Sequence, residues 1–565
     1  MPTITVDLAD LCTLMGQTMN TDELEDHLRL AKAELKDVDG SSGEVRIELN
    51  DTNRPDLWCA EGVARQIKSF LTGETVHYAF FDAPREATLA VEVDAGLEKV
   101  RPFVAAFGAR GPAVTDAFLV QMIQTQEKLC ENYGRKRRNV AIGIYNADSI
   151  EFPVRYVAAA PADFTFTPLG FEEPMTLDSI MAEHPKGKEY AHLVKNLPAC
   201  PILADAEGKV LSFPPIVNSR ETGEVKVGDT HLFIEATGLD MRQLLLSMNI
   251  MAANFADRGW TVEPVKVALP YDSEYGRDVT APRSISEAVT VDLDSFSAVI
   301  GESYDADEIL EGLRKYGVDA EVSGAILTSA CPAWRDDYLH SMDVVEDFAI
   351  SRGFHSFEPV MPSTFTVGKL KPITLLGDRI RHHMTGFGFE ETFSNILTNR
   401  ETERTFMGIP DEEIVSIDNV MSETYSVLRT SVIPSLLRVE AQSSKALYPH
   451  KLFEVGEVCL PDGEGVTGSR TEQRLAALFA AADSGFSEIH SALDMLLYYL
   501  SKNYELKATD FAYYFGGRSG EVVIADGAES TGRVIGSIGE IHPKVLTAFG
   551  ITMPCAAFEI TLDSL

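Results

Sequence analysis

Polar and apolar positions alternate over residues 3–6, and Leu8, Leu11, Leu14 and Met15 then recur at helical spacing, so the chain opens with a strand running into an amphipathic helix. A second amphipathic run covers residues 22–35, a Gly- and Ser-rich turn follows at 39–43, and residues 45–49 read as a strand. Asn53-Arg54-Pro55-Asp56 is a turn ahead of a helix bearing Leu57, Val63, Ile67 and Phe70, and Arg54 and Asp56 are expected to pair within it. These elements make a first unit of residues 1–75. Residues 76–267 form a second, with strands at 103–109, 140–145 and 231–236, a long helix over 113–133, a hairpin over 202–211 and a helix from Met241. A third unit, residues 270–355, carries a strand at 289–291, helices from Leu293 and over 305–316, a strand at 320–322 and a helix starting near Ser341. The fourth, residues 362–565, begins with a helix over 376–389 and continues as antiparallel strands around 391–396, 451–459, 476–481 and 555–560. The fold class is α+β and multidomain.

Composition narrows this picture without identifying it. A chain of 565 residues exceeds a single hydrophobic core, which agrees with three or four domains. No apolar run reaches the length of a membrane span, and the acidic start MPTITVDLADL lacks a signal-peptide profile. Seven cysteines are scattered and never spaced as CxxC, as expected for reduced thiols in the cytoplasm. The formal net charge of -37 opposes nucleic-acid binding by the surface as a whole, so any such contact needs a local basic patch. Arg135, Lys136, Arg137 and Arg138 are that patch, with Arg101 and Arg110 placed beside it; the alternative is a solvated loop after a helix.

The densest charge pattern lies in CPAWRDDYLHSMDVVED, where Asp337, Asp343, Glu346 and Asp347 fall within eleven residues. On a helix Asp343, Glu346 and Asp347 share one face, where like charges repel by a few tenths of a kcal/mol per pair. A hard cation such as Mg²⁺ would reverse that cost; a solvated acidic face is the alternative.

The whole of that string, PAWRDD followed by DVVED, resembles a signature of the phenylalanyl-tRNA synthetase beta subunit, archaeal/eukaryotic type. NRPDLWCAEGVARQI resembles the N-terminal segment of that family. GRKRRNVAIGIYN, SFPPIVNS and FIEATGLD resemble its editing domain, and LRTSVIPSLL, LFEVGEV and IGSIGEIHPKVL its C-terminal core. The resemblance implies an N-terminal α+β domain (1–75), a mixed editing and tRNA-binding domain (76–267), a small helix-strand, metal-associated domain (270–355), and an antiparallel class II synthetase-like core (362–565). It implies Mg²⁺ at Asp337, Asp343, Glu346 and Asp347, and ATP as substrate of the complex. The implied partners are an alpha subunit, in an alpha2-beta2 heterotetramer, and tRNA(Phe), with no membrane.

An apolar pocket rejects a substrate that merely adds a hydroxyl by only about a hundredfold, so a synthetase for phenylalanine needs a second site that hydrolyses tyrosyl esters. The resemblance places that editing site around Leu203, Ser212, Glu235 and Thr237, supported by Asn218 and Asp240. Glu235 is the natural phenol acceptor, since an ionised carboxylate accepts and cannot donate. Ser212, Asn218 and Thr237 could equally serve backbone hydrogen bonding at strand ends. Two departures stand out: Glu235 occupies a position where the family more often has aspartate, and Tyr145-Asn146 one where it tends to have His-Asp.

The core is expected to lack its catalytic arginines. Gly386-Phe387-Gly388-Phe389-Glu390 and Gly536-Ser537-Ile538-Gly539-Glu540 both miss the arginine that closes an ATP-binding GxGxxR helix start. The chain therefore reads as a ligase subunit whose aminoacylation site lies on the alpha subunit. With the sequence ending at Leu565, directly after the core, no C-terminal anticodon-binding domain is expected. A stand-alone tRNA-editing hydrolase and a non-enzymatic assembly and tRNA-positioning subunit are the other readings.

Overall fold

The computed structural model describes residues 2–50, 53–82, 86–443, 445–524 and 532–565. Two compact units divide the chain, Met1–Val360 and Met361–Leu565.

The first unit contains three larger sheets. Thr3–Asp7, Glu44–Leu49 and Ala33–Val38 form the first, in that order, with the helices Leu8–Met15 and Thr21–Leu28 beside it. The amphipathic run expected over 22–35 stops early. Leu28 passes into a tight turn, Lys32 adopts a left-handed backbone (φ 49°), and the chain leaves as a strand. Arg54 and Asp56 pair as expected: both are buried, and Arg54 Nε and Nη2 each donate to a different Asp56 oxygen at 2.8 Å.

The largest sheet has ten strands. Its order runs Val217–Asn218, Val210–Phe213, Cys200–Ala204, Val154–Ala159, Leu89–Val93, Thr261–Ala268, Phe103–Arg110, His231–Gly238, Val140–Asn146, with Asp278–Ala281 added on Thr261–Ala268. His231–Gly238 lies between Phe103–Arg110 and the end strand Val140–Asn146 and is buried throughout, which explains its mostly apolar sequence. The helix Met241–Asp257 packs on it and on Phe103–Arg110, and that helix is buried over most of its length. The long helix expected over 113–133 is regular over Asp116–Lys128 and ends in a wider π-helical turn, Leu129–Tyr133.

A small three-stranded sheet, Ala288–Asp292, Ile326–Ala330 and Ala320–Ser323, is covered by Leu293–Ile300, Ala306–Lys315 and Ser341–Arg352. Phe296, Leu313, Val344 and Phe348 fill its core.

The second unit is built on a seven-stranded sheet ordered Glu390–Glu391, His450–Pro461, Ser469–Ala480, Cys555–Thr561, Arg533–Ile541, Tyr514–Ile524, Tyr504–Ala508. Every pairing is antiparallel except the first. The strand expected over 391–396 shrinks to two residues. Helices Pro372–Gly386 and Phe486–Tyr499 bury one face of the sheet, and Ile433–Gln442 and Pro543–Phe549 bury the other. Gly536 to Glu540 lie in a strand, not at a helix start.

Candidate functional site

Alternation along His231–Gly238 puts Phe233, Glu235 and Thr237 on one face and Leu232, Ile234 and Ala236 on the other, against the helix. Glu235 faces Gly143 across the strand pair and Phe233 faces Tyr145. A glycine is required at 143, because a Cβ there would stand 2.1 Å from Tyr145 Oη and 2.4 Å from Glu235 Oε1. Tyr145 Oη lies 2.8 Å from Glu235 Oε1 and 2.8 Å from Ser212 Oγ. Ser212 belongs to a strand near the opposite end of the sheet order, so the sheet curls until its two ends meet around this tyrosine.

Glu235 is only 2 % exposed, and its Oε2 has no hydrogen-bond partner among the described residues. Burial pushes its carboxyl up to about 7, against the opposing pull of the Tyr145 hydrogen bond and of the Arg101 charge. Leu203 is buried and pairs with Ser212 on the neighbouring strand. Thr237 accepts from Arg101 Nε at 3.0 Å, and Arg101 Nη2 donates to the Thr237 carbonyl at 2.5 Å. Asn218 is half-buried opposite Ser212 in register. Asp240 is not in the group: it is exposed, and its carboxylate caps the following helix by accepting from Gln243 N at 3.1 Å. The structure thus gathers Leu203, Ser212, Glu235 and Thr237 and leaves Asp240 outside.

The four acids of the other expected site separate instead of converging. Arg335 lies buried between two of them: Nε and Nη2 clamp Asp337 at 2.9 and 2.8 Å, and Nη2 reaches Asp347 Oδ2 at 2.9 Å. Tyr338 Oη donates to Asp347 at 2.7 Å. Burial would raise the Asp337 carboxyl, but the Arg335 charge outweighs it and holds the group below its usual range. Asp343 accepts from the Leu339 and His340 backbone N–H groups, both at 2.7 Å, as part of a capping box. Glu346 points to Lys32 at 2.9 Å. No group of three His, Cys, Asp or Glu side chains among the described residues is placed to hold an ion. As arranged, these residues do not fit Mg²⁺: a guanidinium already neutralises the two buried acids, and although Asp343, Glu346 and Asp347 share a face of the helix, their carboxylates engage three different partners.

The basic stretch follows the π-helical turn, and Arg135, Lys136 and Arg137 adopt three successive left-handed backbones (φ 49°, 54° and 63°). Arg137 is turned inward, over the Tyr190 ring and donating to the Pro215 and Ile216 carbonyls. Arg135, Lys136 and Arg138 are exposed. Arg101 touches the stretch, its Nη1 donating to the Arg138 carbonyl at 2.8 Å, but its guanidinium is buried against Thr237 and adds no exposed cation; Arg110 pairs with Glu263 at 2.9 Å.

Comparison with known proteins accounts for both halves of the chain. The phenylalanyl tRNA synthetase beta chain CLM domain matches residues 358–562, and the tRNA synthetase B5 domain matches residues 289–354. Phenylalanine--tRNA ligase beta subunit from Borreliella burgdorferi (strain ZS7) is 38% identical over 556 residues, 98% of this chain and 97% of that one. The corresponding protein of Borrelia hermsii is 38% identical over 571 residues, covering both chains completely. The chain belongs to the phenylalanyl-tRNA synthetase beta subunit family. It is thus an aminoacyl-tRNA synthetase subunit, of the ligase class that serves protein biosynthesis. An N-terminal fragment of the family's beta subunit from Pyrococcus horikoshii has a similar fold, with TM-score 0.59 and 38% identity over 62% of this chain and 99% of that one.

Within this family framework, three side chains shape the sites without having been assigned to them from sequence. Tyr145 stood out only as a departure from the family pattern, yet it is the direct partner of Glu235. Arg101 reads in the sequence as one of the surface cations, and Arg335 carries no role there beside the acids it neutralises. Arg335 alone had a local signal, its two-residue spacing from Asp337 matching that of Arg54 and Asp56. No described helix is long and apolar enough to cross a membrane, and all seven cysteines are free.

Proposed function

We propose that this chain is the beta subunit of phenylalanine–tRNA ligase, pairing with a catalytic alpha subunit as an alpha2-beta2 heterotetramer in the cytoplasm. In this reading the alpha subunit attaches phenylalanine to tRNA(Phe) with ATP and Mg²⁺. The beta chain hydrolyses mischarged tyrosyl-tRNA(Phe) at a site around Glu235. The observation that carries the editing role is a buried carboxylate with one oxygen unpartnered, beside Ser212 and Thr237. A tyrosyl phenol can donate to that oxygen, whereas a phenyl ring would leave it unpaired at a cost of about 1–3 kcal/mol. Arg135, Lys136 and Arg138 supply exposed cations for tRNA phosphates on an otherwise acidic chain.

An inactive, class II synthetase-like core over residues 362–565 fits the state of two of its arginines. Buried Arg429 pairs with Glu454 at 2.8 Å, and half-buried Arg474 is held by Glu472 and Glu559 at 2.9 and 3.1 Å, so neither guanidinium is free to clamp a triphosphate. The archaeal/eukaryotic type is supported by the likeness to the Pyrococcus horikoshii fragment, while the curated relatives described above come from Borrelia and Borreliella.

One observation favours a second reading, a non-enzymatic assembly and tRNA-positioning subunit: the Tyr145 phenol already occupies one of the two oxygens of Glu235, Oε1. Deacylation of tyrosyl-tRNA(Phe) by the chain co-purified with its alpha subunit, against Glu235→Ala, separates the two. Loss of deacylation with aminoacylation intact supports editing at Glu235; unchanged deacylation removes Glu235 from the role; no deacylation in the unmutated complex supports the second reading.

A further inference from the structure

A cleft of about 510 Å³ opens in the second unit, within the size range of small-molecule sites. Its floor holds Glu403, placed by the short π-helical turn Glu401–Thr405 and only 1 % exposed. Glu403 Oε2 accepts from Thr430 N at 3.0 Å and from Thr430 Oγ1 at 3.2 Å. Its other oxygen, Oε1, is buried and has no partner among the described residues. A buried acceptor left open in this way is unfavourable, more so when charged, which makes it a strong attractor for a donor.

The remaining walls state what kind of donor fits. Met407, Ile409, Phe511, Tyr513 and Val534 give an apolar, partly aromatic surface. Four glutamates, Glu403, Glu472, Glu521 and Glu559, line the cleft against one arginine, Arg474. Arg474 is not available to an anionic ligand, because it is already shared between Glu472 and Glu559. Glu559 is further engaged by Ser431 Oγ and by Val432 N. A carboxylate or phosphate entering here would meet uncompensated negative charge, whereas an ammonium would meet an open carboxylate oxygen.

We propose that this cleft binds a small primary amine carrying an apolar or aromatic body, with the ammonium donating to Glu403 Oε1 and the body lying against Phe511, Tyr513 and Val534. The site is separate from the proposed editing pocket, which lies in the other unit, and does not depend on that reading. It gives the arginine-blocked core a ligand of its own.

Isothermal titration of the full chain with 2-phenylethylamine tests this, with 2-phenylethanol and L-phenylalanine as the uncharged and carboxylate-bearing comparisons. The expected result is saturable, submillimolar binding of the amine, and at least about tenfold weaker binding of both comparisons, the factor expected for one charge-assisted hydrogen bond. Glu403→Gln should weaken the amine by a similar factor, because the new amide N–H₂ faces the ammonium. Val534→Trp, at an exposed strand position, fills the cleft mouth without touching the carboxylate and should also abolish binding. Absence of amine binding at millimolar concentration overturns the proposal. So does amine binding that survives Val534→Trp, or L-phenylalanine binding as tightly as the amine. If Glu403→Gln lowers the unfolding temperature, the Val534→Trp result and the ligand series decide alone.

Discussion

Tyr145→Phe isolates the interaction that separates an open editing pocket from a closed one. In the resting structure the Tyr145 hydroxyl sits 2.8 Å from both Glu235 Oε1 and Ser212 Oγ, so one oxygen of the carboxylate proposed to read a substrate phenol is already taken. A tyrosyl ester that donates to the free Oε2 must therefore share the carboxylate with an internal phenol already bound at Oε1. A hydrogen bond to a charged group is worth about 1.5–3 kcal/mol, and the internal phenol weakens the substrate's bond by drawing on the same charge. Removing the competitor frees the low end of that range, about 1.5 kcal/mol, or about tenfold. The expected outcome is a rise of about tenfold in kcat/KM for deacylation of tyrosyl-tRNA(Phe), with hydrolysis of phenylalanyl-tRNA(Phe) unchanged. Loss of the hydroxyl also removes the bond that lowers the Glu235 carboxyl, which then rises further above about 7, so the comparison is made at alkaline pH. An unchanged or lower kcat/KM, in a variant with the unfolding temperature of the parent, would refute the competition and with it the placement of the phenol at Glu235.

Three further outcomes follow from the same geometry. Arg335→Met leaves Asp337 and Asp347 buried without their cation and should cost about 3–5 kcal/mol, seen as a lower unfolding temperature, whereas Glu346→Gln at the surface should change it little. Arg135→Gly and Lys136→Gly remove left-handed strain of about 1–2 kcal/mol per residue, partly offset by glycine's flexibility in the unfolded chain, so stability should hold or rise while tRNA affinity falls. The slope of log affinity against log salt should then shrink by about one per cation, and an unchanged slope would exclude phosphate contact there. For pH, the Glu235 carboxyl stands at about 7 in the folded chain against an ordinary 4.5, so the folded state holds the proton more tightly. That contribution, about 3 kcal/mol at 1.36 kcal/mol per pH unit, is complete below 4.5 and is lost as pH rises through 7. Glu235→Gln should flatten the corresponding fall in unfolding temperature between pH 5 and 8.

Local periodicity carried most of the secondary structure, because the elements that hold the proposed editing pocket are long and rich in apolar residues: His231–Gly238 is mostly apolar, and Met241–Asp257 is a long run of good helix formers, buried nearly all round. It failed where a single backbone conformation ended an element, as at Lys32, and where a strand was too short to show alternation, as at Glu390–Glu391. The pocket itself was legible as a set of residues but not as an arrangement. Tyr145 meets Ser212 across 67 residues and Glu235 across 90, through the closure of a sheet whose strand order no periodicity encodes. Thr237 and Arg101, 136 residues apart, meet for the same reason.

The acidic cluster shows a different limit, one of interpretation. Arg54 and Asp56 are expected from the sequence to pair within their turn, and they form a two-pronged clamp at 2.8 Å on each prong. Arg335 and Asp337 have the same spacing and make the same clamp, at 2.9 and 2.8 Å, with Nη2 left to reach Asp347. The two forks lie close enough for each to feel the other's charge: Arg335 and Asp337 act on Arg54, and Arg54 acts on Asp337 and Asp347. Gln66, which accepts from Arg54, donates to the Tyr316 carbonyl, and the Tyr316 ring lies between 5.6 and 5.9 Å from both guanidinium carbons. Two arginines and three aspartates thus form one buried network, and it ties the N-terminal helix Ala60–Thr72 to the small sheet domain. An ion bound at Asp337 and Asp347 would first have to evict Arg335 from a buried position, where breaking one partner of such a pair costs about 3–5 kcal/mol. The acids that looked like an unpaired ligand set are therefore better explained as one side of an internal salt-bridge network, whose cations lie two residues before Asp337 and, in the chain's N-terminal segment, two residues before Asp56.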